Sequence, residues 1–70
     1  TSSENNEIAY ARALADSNLD LALVEINTAL EDKQNKNYSQ FFDTKAWVLY
    51  KKGDAEKALR FADAAVKEWY

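Results

Sequence analysis

The chain has 70 residues and a net charge of −3, with neither cysteine nor histidine, no proline and a single glycine. Disulfides, thiolate or histidine acid/base chemistry and the usual zinc sets are thereby excluded, and with no long apolar run neither a membrane span nor a signal peptide is expected. A chain this short buries only roughly 60% of its unfolded surface, so residues 1–70 are expected to form one small, marginally stable all-α domain, soluble and by default cytoplasmic.

The charge is uneven along the chain. Residues 1–35 carry seven acids against Arg12 and Lys33, a net of −5, whereas residues 36–70 carry seven bases against five acids, a net of +2. Solvated helix surfaces account for this, and so does head-to-tail or antiparallel pairing of two copies. An acidic chain gives no electrostatic reason to bind nucleic acid or an anionic membrane, and neither partner is expected. The absence of methionine favours a segment excised from a longer chain.

Thr1, Ser2 and Ser3 suit a frayed start, with Ser3 the expected N-cap and Glu4 and Glu7 in the first turns. Helix one then runs to about Asp16. Its apolar residues, from Ile8 to Ala15, are mostly alanine, so a neighbour can approach closely, but the helix brings little core volume. Asp16, Ser17 and Asn18 make a turn, with Asn18 the expected cap of helix two. There Leu19, Ala22, Leu23, Ile26, Ala29 and Leu30 recur at three/four spacing, and Leu21 and Val24 widen the apolar face.

Residues 31–37, EDKQNKN, are polar throughout and form the one real connection. Asn37 with Gln40 fits a capping box that starts helix three at about Tyr38. In that helix Phe42, Ala46 and Leu49 form one stripe and Asp43, Trp47 and Tyr50 a second, displaced by one residue. Two occupied faces predict neighbours on both sides. Lys51 and Lys52 suit a last turn, Gly53 a left-handed C-cap and Asp54 the cap of helix four. In helix four Ala55, Ala58, Leu59, Ala62, Ala65, Val66 and Trp69 share a single stripe.

A shift of thirty-six residues lays Ala22 on Ala58, Leu23 on Leu59, Ala29 on Ala65, Leu30 on Val66, Asn18 on Asp54, Ser17 on Gly53 and Tyr10 on Ala46. The same helical hairpin occurs twice. Phe42 at a large early position, Ala46 at a small one, Gly53 at the turn and alanines at 58 and 65 make the chain resemble the tetratricopeptide repeat (TPR) family, and YKKGDAEKAL is its most family-like run. The first repeat keeps Ala22 and Ala29 but has Ser17 where glycine is usual; the period is two residues longer than the usual length of about 34. The resemblance implies two antiparallel hairpins, at about 4–34 and 38–70, stacked as a short right-handed TPR-like α-solenoid.

No catalytic, cofactor or metal site is expected. Asp16 and Asp20 flank a turn rather than a pocket, Glu31 and Asp32 lack the alternating ligands and glycine of a calcium loop, and no phosphate-cradling motif occurs. The resemblance implies instead a scaffold that holds a protein or peptide on its first helices, here through Glu7, Ala11 and Leu14 of helix one and Asp43, Trp47, Tyr50 and Lys51 of helix three. Filling of the space between repeats accounts for Trp47 and Tyr50 equally well. Family members that grip a terminal carboxylate use lysine, arginine and asparagine over three repeats; with two repeats, and Trp47 at the asparagine position, that activity is not expected. A second expectation is self-association: short solenoids need covered ends, and Val66, Trp69 and Tyr70 end the chain uncovered. They would join two copies as a homodimer, or face a further repeat of a longer TPR array.

Overall fold

The computed structural model describes residues 1–32 and 38–69, with side chains through Lys67. These residues form four helices and no strand: α1 (Ser2–Ala15), α2 (Leu19–Leu30), α3 (Tyr38–Lys51) and α4 (Ala55–Trp69). The all-α class, the helix number and the hairpin pairing agree with the periodicity.

Helix ends follow local chemistry. Thr1, not Ser3, caps α1: its Oγ1 accepts the Glu4 amide at 3.2 Å, and the helix begins one residue before Ser3. Asn18 occupies the N-cap position of α2 but makes no side-chain cap bond, because its backbone is left-handed (φ 52°) and turns the side chain away from the first turn. Asp54 does cap α4, accepting the Lys57 amide at 3.1 Å. The expected Asn37–Gln40 capping box lies outside the described residues.

α3 ends in a Schellman turn, with the Asp54 amide donating to Leu49 O at 2.9 Å, the Gly53 amide donating to Tyr50 O at 3.0 Å, and Gly53 at φ +91°. α1 ends the same way, through Ser17 N–H to Arg12 O and Asp16 N–H to Ala13 O. Here the left-handed residue is Asp16 (φ 53°), so Asp16 and not Ser17 is the counterpart of Gly53. The first helices therefore correspond at a shift of thirty-seven residues, which lays Ala9, fully buried, on buried Ala46 and leaves Tyr10 exposed. The alignment of Tyr10 with Ala46 is thus corrected by one residue.

Each hairpin is antiparallel. α1 and α2 are tied near the turn by Arg12 Nε to Glu25 Oε1 at 2.8 Å and at the open end by Ser2 Oγ donating to Asp32 Oδ2 at 2.7 Å. Between hairpins, the Tyr38 hydroxyl donates to Asp32 O at 2.9 Å and Lys52 pairs with Asp20. The core gathers Ala9, Ala13, Ala22, Ile26, Ala29, Phe41 and Val48, with Leu23 and Leu30 packed against it. Four alanines in that set let α1 and α2 approach closely, and Phe41, Ile26 and Val48 supply the bulk.

α3 does have neighbours on two sides: α1 and α2 on one, α4 on the other. One of the two expected stripes takes part, with Phe42 meeting Phe61 of α4 and Ala46 and Leu49 buried; the other does not. Phe41, Thr44 and Val48 face the first hairpin, Ala46 and Leu49 are buried beside them, and the Asp43, Trp47, Tyr50 stripe is exposed. Leu21 and Val24 point outward too, so α2 is covered on one side only. Among the described residues α4 packs on α3 alone.

Candidate functional site

The molecule measures 28 × 25 × 15 Å, and two open grooves lie on its described surface. The more apolar groove, about 520 Å³, runs between α3 and α4. Asp43, Ala46, Trp47 and Tyr50 form one wall, and Ala55, Ala58, Leu59 and Ala62 form the other. The residues of each wall follow the i, i+3, i+4, i+7 pattern, so one face of each helix lines the trough. Trp47 and Tyr50 meet edge to face, ring centroids 6.0 Å apart and planes at 84°, which stiffens that wall. The small alanines opposite keep the trough open.

Three of the expected partner residues, Asp43, Trp47 and Tyr50, therefore share one groove. Lys51 is exposed one residue beyond it, and Glu7, Ala11 and Leu14 lie exposed along α1, away from α4. Val66 is exposed on α4; the side chain of Trp69 and all of Tyr70 lie outside the described residues. Leu59 was expected in the core stripe of helix four, yet it is 72% exposed on the groove wall. The repeat itself holds the signal for this: its counterpart Leu23 is partly buried against a core that Phe41 and Val48 of the second hairpin complete, and no described helix stands in that relation to α4.

A second groove, about 440 Å³, is lined by Leu23 and Asn27 of α2, Lys45 and Leu49 of α3, and Lys57, Arg60, Phe61 and Ala64 of α4. No sequence motif marked it. Phe61 stands 6.1 Å from Phe42, centroid to centroid, and Lys45 Nζ sits 4.3 Å over the Phe61 ring. Burial, with the Lys57 charge adding to it, holds the Lys45 ammonium below the ordinary lysine range. Lys57 pairs with Asp54 at 3.8 Å and Arg60 with Glu56 at 3.3 Å, both along the exposed helix surface.

Among the described residues no helix is long and apolar enough to cross a membrane. No family model, curated protein or solved structure matches the chain.

Proposed function

We propose that the protein is a protein-interaction module of the tetratricopeptide type, whose α3–α4 groove accepts a helix from a partner. The comparison of Leu59 with Leu23 carries the reading. On the first hairpin the corresponding surface is filled by α3, which presents Phe41, Thr44 and Val48 at positions i, i+3 and i+7. On the second hairpin Trp47, Tyr50 and Leu59 form the same kind of surface and stay 39%, 58% and 72% exposed. Full burial of one large apolar side chain contributes roughly 1.5–3 kcal/mol, against an association cost of about 4–15 kcal/mol. Counting only their exposed fractions, the three side chains together contribute roughly 2.5–5 kcal/mol, which reaches only the low end of that cost, so the complex is weak.

A displayed library of helical peptides tests this. Enriched sequences are expected to carry apolar residues at i, i+3 or i+4, and i+7, and to lose at least about tenfold in affinity for Leu59→Glu, a 1.4 kcal/mol effect. Enrichment without such a pattern, or binding that survives Leu59→Glu, rejects the groove. Self-association through the open end is the second reading, supported by Val66, 55% exposed on α4, which among the described residues has a single neighbouring helix.

A further inference from the structure

We propose that the basic groove across α2, α3 and α4 receives the outer face of α1 from a second copy of the chain, a contact separate from the α3–α4 groove. Lys45, Lys57 and Arg60 border this groove over the apolar side chains of Leu23, Leu49 and Phe61. A complementary ligand is a helix bearing carboxylates beside apolar residues. The chain itself carries one. Glu4, Glu7, Ile8 and Ala11 of α1 follow the i, i+3, i+4, i+7 pattern of one helix face, and all four are exposed.

The two surfaces also match in what they lack. Lys45 is half-buried over the Phe61 ring with no carboxylate partner among the described residues, and Glu7 has no cationic one. A carboxylate brought to Lys45 makes a charge-assisted bond where water is already partly excluded, and such a bond is stronger than an exposed pair. Ala11, with its short side chain, lets the incoming helix settle toward Leu49 and Phe61. The chain's own α1 cannot do this, because it is packed against α2 and α3 and does not reach α4. The split between an acidic first half (−5) and a basic second half (+2) points to a second copy. The same negative first half repels a nucleic acid or an anionic membrane from the groove.

Sedimentation equilibrium over a wide concentration range reads the contact directly. The unaltered chain is expected to associate at low salt and to lose at least tenfold in association at roughly 1 M salt, where the Debye length is about 3 Å. Glu4→Lys/Glu7→Lys removes the acidic face. Lys57→Glu/Arg60→Glu removes the basic rim through exposed positions that leave the core untouched, and circular dichroism checks that each variant folds. Each double variant alone should be monomeric, while their equimolar mixture should regain a two-copy complex, since one retains the groove and the other the helix. A monomeric unaltered chain at all concentrations, variants that associate as it does, or a mixture that stays monomeric would each overturn the proposal. Leu59→Glu should leave this association unchanged. Its loss in Leu59→Glu but not in the charge variants would move the contact to the open α3–α4 end.

Discussion

Gly53 and Asp16 do the same work with different residues. Each is the left-handed residue that lets a first helix end in a Schellman turn, at φ +91° and +53° respectively. A Cβ at Gly53 would meet nothing within 4 Å, so conformation rather than space selects glycine there. Asp16 holds its turn at the cost of placing an L side chain in a region that favours glycine. Gly53→Ala should therefore destabilise the protein by about 1 kcal/mol, and Asp16→Gly should stabilise it by about 0.5–1 kcal/mol. In a domain of this size a change of 1 kcal/mol moves Tm by roughly 4–8 °C. Thermal melts of the two variants should shift in opposite directions; a loss of stability in Asp16→Gly would mean that the aspartate side chain contributes more than its backbone strain costs.

At the level of the helix, the difficulty is choosing between adjacent stripes. α3 is apolar on several sides, so Phe41–Thr44–Val48 and Phe42–Ala46–Leu49 both satisfy three/four spacing, and only the position of the neighbours decides which faces the first hairpin. The end of α3 and the start of α4 were legible because Gly53 and Asp54 have one strong local preference each. The register of α1 was not, since a one-residue difference in the turn is invisible in a run of alanines. Burial of Ala9 beside exposed Tyr10 fixes it. Ala9→Leu should force a larger side chain between α1 and its neighbours and destabilise by about 1–3 kcal/mol, whereas Tyr10→Ala should cost less than about 1 kcal/mol. Chemical denaturation of the two variants checks this, and the reverse order would restore Tyr10 to the interior.

The whole molecule is asymmetric although its halves repeat. Among the described residues α3 touches three helices, and α4 touches one. The resemblance of the second repeat to the TPR family picked out Trp47 and Tyr50 as candidate partner residues, but it did not pick out Leu59. A leucine at helical spacing among alanines looks the same whether it is covered or not, and coverage depends on what stands beyond the second hairpin. The same asymmetry bears on dynamics. The buried residues of α3 include Phe41, Val48 and Leu49, while those of α4 with described side chains are Ala58 and Ala65, so little apolar area anchors α4. α4 should open without the rest of the fold. Native-state hydrogen exchange is expected to show the central α4 amides exchanging at least about tenfold faster than those of α2, a difference of 1.4 kcal/mol in opening free energy. Equal protection in both helices would mean that the hairpins unfold as one unit. A helical peptide seated in the α3–α4 groove should then raise protection in α4 more than in α2, because it supplies α4 with a second neighbour.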